Sequence, residues 1–179
     1  VNVLIAEEYS RAASGGVGFA KAAGNYAAQF YPTSEALKQG YQQIIWTDAN
    51  KHEYLEEAGT MNIFFKIGDT LVTSPTNDRI LDGITRKSII ALAHHQGLKV
   101  EERPIKVSEL IAAHENGSLQ EVFGSGTAVV VLPIKSFSYQ GKRYLMEKTP
   151  TVAQKLKESL TSIQYNLAED QFNWRYPVI

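Results

Sequence analysis

The chain is predicted to form a single α/β domain. Short β-prone runs and amphipathic helical stretches alternate along its whole length, the pattern of helices packed on a sheet. Turn chemistry separates these elements, with no long linker, internal repeat or low-complexity segment to mark a second unit. At 179 residues and 44% hydrophobic composition, the chain is sized for one core with small extensions.

Residues 1–8, Val1-Asn2-Val3-Leu4-Ile5-Ala6-Glu7-Glu8, read as a strand that begins mid-fold, so the chain is expected to be a fragment. Asn25 to Gly40 reads as a helix, bent or interrupted at Pro32, whose ring removes an N–H and crowds the preceding turn. A second β-prone run follows at residues 42–47. Asn62–Ile67 and Thr70–Thr73 flank Gly68-Asp69, a compact hairpin signal. Thr85 to Gln96 is an amphipathic helix, with Ile89, Ile90, Leu92 and Ala93 on its apolar positions and Gly97 as its stop. Lys99 to Lys106 reads as a strand, and Val107 to His114 as a short helix ending at Asn116-Gly117. Thr127 to Ile134 reads as a buried strand from its apolar run, and Tyr139-Gln140-Gly141-Lys142 turns the chain back. Thr151 to Tyr165 is the last helix.

The composition removes several classes of function. Eighteen basic residues against nineteen acidic ones leave a net charge of −1, which gives no electrostatic case for nucleic acid or an acidic membrane. No apolar run approaches membrane-spanning length, and residues 1–8 lack the basic flank of a signal peptide. The absence of cysteine excludes disulfides and thiolate chemistry, and fits a cytoplasmic enzyme. Asn116-Gly117-Ser118 has the form of a glycosylation site and is read as a turn.

Lys21 is the residue that most invites a chemical reading. It stands in Gly15-Gly16-Val17-Gly18-Phe19-Ala20-Lys21-Ala22-Ala23-Gly24-Asn25-Tyr26, a lone amine among small residues that let a large group approach the backbone. That is a setting for a lysine that forms a Schiff base with a cofactor carbonyl, although most lysines are solvated surface groups. Three further motifs follow in order: Glu57-Ala58-Gly59-Thr60-Met61-Asn62, Leu81-Asp82-Gly83-Ile84-Thr85-Arg86, and Phe123-Gly124-Ser125-Gly126-Thr127-Ala128.

Other motif readings fail on spacing. A nucleotide-hydrolase phosphate loop needs Gly before the lysine and Ser or Thr after it, where this chain has Ala20 and Ala22. Gly16-Val17-Gly18 lacks the third glycine of a dinucleotide fingerprint, and Phe123-Gly124-Ser125-Gly126 lacks the first glycine of a nucleophile elbow. His52, His94, His95 and His114 have no metal-binding spacing, so no metal site is expected.

With the Lys21 run, the three motifs resemble the branched-chain amino acid aminotransferases of the fold type IV pyridoxal-phosphate enzymes. The likeness runs from Tyr9-Ser10-Arg11-Ala12 to Asp170-Gln171-Phe172-Asn173-Trp174 and corresponds to that family's large C-terminal domain, residues 1–179 here. It implies a β-barrel-like core ringed by helices, with pyridoxal 5'-phosphate held between this domain and a smaller N-terminal one preceding Val1. It also implies a homodimer acting on branched-chain L-amino acids and 2-oxo acids, with 2-oxoglutarate as acceptor. The missing domain supplies an arginine to the phosphate in the family, so the isolated chain is expected to fold yet be inactive.

The resemblance also implies roles. Lys21 is the Schiff-base lysine and proton carrier, and an apolar setting would lower its pKa toward a useful range. Glu57 is the anionic partner of the pyridine nitrogen; outside the motif, a glutamate in Glu53-Tyr54-Leu55-Glu56-Glu57 reads as solvated. Tyr26 donates to the ring hydroxyl, or is a core aromatic on a helix face. Leu81, Gly83, Ile84 and Thr85 lead into a helix start whose free N–H groups suit the phosphate, or form an ordinary start capped by Asp82 or Thr85. Gly126, Thr127 and Ala128 form a turn facing the substrate carboxylate, with Thr127 also reaching the phosphate. Arg11 matches an arginine near the cofactor, and Thr60 a residue near substrate and Glu57, or is an ordinary strand threonine. Where some members carry a C-x-x-C redox pair, this chain has Val129 and Leu132, so thiol regulation is excluded. Other fold type IV chemistries, D-amino acid transamination and aminodeoxychorismate lysis, or a scaffold domain that has kept the fold, are the alternatives.

Overall fold

Val3 and Ile5 are fully buried while Asn2 and Leu4 are half-exposed, the alternation of a strand covered mainly on one face. They belong to β1 (Asn2–Ile5) of a computed structural model that describes residues 1–178. The elements that follow are α1 (Ala23–Lys38), β2 (Gln43–Thr47), β3 (Leu55–Ala58), β4 (Met61–Ile67), β5 (Thr70–Thr73), α2 (Ile84–His95), β6 (Lys99–Glu102), α3 (Val107–Glu115), β7 (Leu119–Gly126), β8 (Val130–Pro133), β9 (Ser136–Tyr139), β10 (Lys142–Leu145) and α4 (Thr151–Gln164).

The ten strands form one mixed sheet in the order β10-β9-β1-β2-β3-β4-β5-β6, with β7 on β4 and β8 on β7. β4 is the branch point. Its first residues pair with β3, its later ones with β5, and its whole length with β7. One core gathers Val3, Ile45, Ile63, Phe65, Leu110 and Phe137 from strands across the sheet and from α3. A second lies on the other face of β4 and β7, where Phe64 and Phe123 stack at 5.1 Å beneath α2 and α4. A third packs α1 on Ile44 and Trp46. This bent sheet with helices outside it is the barrel-like α/β core that was expected.

Several boundaries differ from expectation. α1 runs through Pro32 without stopping: Ala28, whose carbonyl loses its partner there, is exposed, so solvent can satisfy it. The strand expected over Lys99–Lys106 ends at Glu102, before Pro104, which has no N–H for a ladder. The strand expected over Thr127–Ile134 is only Val130–Pro133; Thr127, Ala128 and Val129 form the turn from β7, and only Val131 of β8 is fully buried. β3 and β7 were not expected as strands. The Gly68-Asp69 hairpin and the Gln140-Gly141 turn stand as read, with φ +55° at Gly68 and +49° and +72° at Gln140 and Gly141. Asn116-Gly117-Ser118 is a turn, with the Ser118 N–H donating to Asn116 Oδ1 at 2.9 Å. No helix among the described residues is long and apolar enough to cross a membrane.

The start of α4 is capped from a distant strand. Glu121 of β7, 4% exposed, accepts the N–H groups of Val152 and Ala153, each at 2.8 Å. Lys66, its cross-strand partner on β4, is also buried and donates to the Gly68 carbonyl at 2.5 Å. Glu121→Ala removes the cap and leaves Lys66 without its facing carboxylate. It is expected to lower stability by about 2 kcal/mol, seen as an earlier denaturation midpoint. A midpoint unchanged from wild type would show that α4 docks without this cap.

Candidate active site

Glu57, Asn62 and Ser125 form one row across β3, β4 and β7, since Glu57 pairs with Asn62 and Asn62 with Ser125. Cross-strand partners share a face, so all three lie on the side that carries Phe64 and Phe123. They continue the α2–α4 core toward the end of the sheet, replacing apolar groups with polar ones. All are buried, at 3%, 6% and 1% exposure respectively. The acidic run thus divides: Glu53 is exposed, while Glu56 and Glu57 sit inside the fold on opposite faces of β3.

Glu57 accepts the N–H of Leu81 on Oε1, and Arg11 Nη2 lies 3.5 Å from the same oxygen. Among the described residues, Oε2 receives no hydrogen bond. Burial pushes the carboxyl up to about 7, opposed by the Arg11 charge and the Leu81 N–H and reinforced by Glu56. Burial also raises Glu56, against the pull of Arg79, whose Nε donates to it at 2.5 Å. At neutral pH, Glu57 is poised between its acid and its anion. A cationic group brought to it would favour the anion.

Arg11 was expected only near the cofactor, and the structure places it in the Glu57 network, 7% exposed. Its Nη2 also donates to the carbonyls of Gly18, at 3.0 Å, and Arg79. Gly18 is where the Lys21 loop meets the segment leading to Leu81. A Cβ on it would lie 2.6 Å from Ala12 Cβ and 2.7 Å from Arg79 Cα, so only glycine fits. Phe19 N–H donates to the Asp78 carbonyl at 3.1 Å, and Asn25 Nδ2 holds the carbonyls of Val17 and Ala20 at 2.8 and 2.7 Å. These bonds fix the loop that ends at Ala20, immediately before Lys21. The apolar surroundings expected for Lys21 are absent from this chain: the residue is exposed, because the small side chains around it cover little. Tyr26 is half-buried on the first turns of α1, beside the buried face formed by Asn25, Gln29, Pro32 and Ala36.

The start of α2 has neither of the side-chain caps considered for it. Gly83 is the N-cap, and neither Asp82 nor Thr85 bonds to the first N–H groups. Asp82 instead pairs with Lys87 at 2.5 Å. The first turn holds no acidic side chain, so the partial charge of about +0.5 at this terminus is unmet. Ile84 is 75% exposed, and Thr85 is half-buried.

The two turns lie at the same end of the sheet. Gly59 and Thr60 link β3 to β4, and Thr127–Val129 link β7 to β8; because β4 and β7 are antiparallel, the start of one meets the end of the other. The Thr60 carbonyl is 3.8 Å from where a Cβ on Gly126 would stand. Thr60 is exposed in its turn and is not a strand residue, and Thr127 and Ala128 are exposed in theirs. Leu81, Gly83, Ile84 and Thr85 join this end through the bonds of Leu81 to the buried row. Sequence reasoning missed Asn62, Arg79 and Ser125 as parts of the site. Asn62 and Ser125 were inside quoted motifs, and their register opposite Glu57 was the signal that a strand at Leu55–Ala58 would have supplied.

A sequence model of the family described as amino-transferase class IV matches residues 17–137, the stretch holding Lys21, Glu57, Leu81–Thr85 and Thr127. The chain belongs to the class IV aminotransferases. This class IV chain is 45% identical over 178 residues to a probable branched-chain-amino-acid aminotransferase of Staphylococcus epidermidis, covering 98% of this chain and 50% of that protein. It thus spans about half the length of the curated relatives it matches. Its fold matches the branched-chain amino acid aminotransferase from Escherichia coli with a TM-score of 0.82 at 30% identity, covering 97% of this chain and 56% of that one. A T.th. branched-chain amino acid aminotransferase with pyridoxamine 5'-phosphate matches with a TM-score of 0.75 at 25% identity, covering 90% of this chain and 50% of that one.

Proposed function

We propose that this chain is the C-terminal large domain of a branched-chain amino acid aminotransferase that uses pyridoxal 5'-phosphate, exchanging amino groups between leucine, isoleucine or valine and 2-oxoglutarate. The observation that carries the reading is the link through Leu81. Its N–H donates to buried Glu57, and three residues later, within about 11 Å of chain, α2 begins with uncapped N–H groups. One segment therefore presents a carboxylate for a ring nitrogen and a donor cup for a phosphate. Glu57 Oε2 and the first N–H groups of α2 have no side-chain partner among the described residues, as a site for this cofactor requires.

The family is pyridoxal-phosphate dependent, and the pyridoxamine 5'-phosphate of the T.th. relative supports the same group here. When bound, the cofactor supplies an aldehyde for an amine to capture and a ring that takes up the electron pair released at the substrate Cα. In this reading Lys21 provides the amine and afterwards carries the proton. Glu57 holds the ring nitrogen protonated, Arg11 steadies the Glu57 anion, and Tyr26 donates to the ring hydroxyl. The Ile84 and Thr85 amides bind the phosphate, Thr127 adds a hydroxyl, and Thr60 and Gly126–Ala128 face the substrate. The half of the relatives that this chain does not match would close the cleft over exposed Lys21, exclude water and complete a homodimer. The absence of cysteine accords with a cytoplasmic setting.

Assaying leucine and 2-oxoglutarate with added cofactor, with and without the N-terminal half of a relative supplied in trans, tests the proposal. Turnover is expected only on mixing, with leucine preferred over D-alanine. Activity only with D-alanine, or no cofactor binding under either condition, would refute it.

A further inference from the structure

Asn62 has no role in the scheme above, yet it joins the two ends of the site. Its Nδ2 donates to the Leu81 carbonyl at 2.8 Å, while the Leu81 N–H donates to Glu57. Leu81 is thus gripped on both sides by a cross-strand pair, Glu57 and Asn62. Two residues on, a Cβ at Gly83 would collide with Asn62 Oδ1, so the chain lies directly on the amide as it enters α2. The amide's orientation is set by its partner, since a carbonyl accepts only from Nδ2. At 6% exposure, Asn62 has little freedom to move.

A helix start binds an anion as well as its N–H groups are held on target; here no side chain caps them, and Arg86 anchors the first turn from its far side, on the Ser74 carbonyl and Glu102. We infer that Asn62 is a positioning residue, which fixes Leu81 and the Gly83–Thr85 turn so that anion affinity at α2 depends on its amide. The inference rests on the proposed phosphate site at that turn. Because Leu81 also serves Glu57, an anion at α2 and the state of the Asn62–Leu81–Glu57 chain are linked, and the linkage works in both directions.

The test follows the backbone amides of Ile84 and Thr85 by NMR while the protein is titrated with inorganic phosphate. Asn62→Leu keeps similar bulk and removes the donor. It is expected to weaken phosphate binding about tenfold, as loss of one oriented hydrogen bond would. Glu121→Ala, destabilising at α4, serves as the control and is expected to leave phosphate affinity unchanged. In the wild-type protein, saturating phosphate should slow solvent exchange of the Asn62 side-chain amide, a measurement that stands if Asn62→Leu does not fold. Equal phosphate affinity in wild type and Asn62→Leu would overturn the role of Asn62 and leave the anion site intact. Unchanged Asn62 exchange, or an equal loss in Glu121→Ala, would also overturn that role. Ile84 and Thr85 amides that ignore phosphate in the wild type would overturn both the site and the inference.

Discussion

Replacing Lys21 with alanine is expected to abolish covalent capture of pyridoxal 5'-phosphate and to reduce transamination by more than about a thousandfold in the completed enzyme. The loop from Arg11 to Ala20 is tied to Asp78 and Arg79 by hydrogen bonds that Arg11, Gly15 and Phe19 donate and by one that Ser14 Oγ accepts from Arg79, so the chain leading into Lys21 is anchored on the segment that runs to Leu81. No other lysine is held by that loop. Borohydride reduction of the protein with cofactor, followed by peptide mapping, is expected to place the stable adduct on Lys21 and to find none in Lys21→Ala. An adduct of equal yield on another lysine would contradict the assignment.

Glu57→Gln is expected to lower turnover by roughly 10²–10³, or about 2.7–4 kcal/mol, the range for losing one preorganised electrostatic contact. The same substitution should stabilise the ligand-free protein near neutral pH. Burial raises Glu57 from an ordinary 4.5 to about 7, so between those values the folded state keeps a proton that the unfolded state has lost. The contribution of Glu57 to stability is therefore greatest below about 4.5, falls as pH rises through this window, and is fully lost above about 7. For Glu57 that increment is on the order of 3 kcal/mol. Glu56 is raised in the same direction, so the comparison is the difference between wild type and Glu57→Gln across this range. A difference that does not change with pH would show that Glu57 is not held in a low-dielectric site. Unchanged turnover would refute its role at the ring.

The helices were legible because their signals are local: the apolar positions of Ile89, Leu92 and Ala93 and the stop at Gly97 mark α2 without tertiary information. β3 was hidden because Glu56 and Glu57 read as solvent-facing, and only the pairing of β3 with β2 and β4 makes their burial intelligible. β7 was hidden by Glu121, Gly124, Ser125 and Gly126, each of which weakens a strand pattern for a reason set elsewhere. Glu121 caps α4, and Gly124 makes room for Met61, whose Cε would stand 2.8 Å from a Cβ there. The candidate site residues were named through motif resemblance, but the way the fold brings them together was not legible. Glu57 and Leu81 are 24 residues apart, and the bond between them depends on a strand that local pattern did not reveal.

A crystal structure of the protein with pyridoxal 5'-phosphate tests the central claim most directly, that the buried row and the α2 start are two ends of one cofactor site. The phosphate is expected on the Ile84 and Thr85 amides, the ring nitrogen within hydrogen-bond reach of Glu57, and Lys21 joined to the cofactor carbon. A cofactor bound away from Glu57, with no anion at the α2 start, would contradict it.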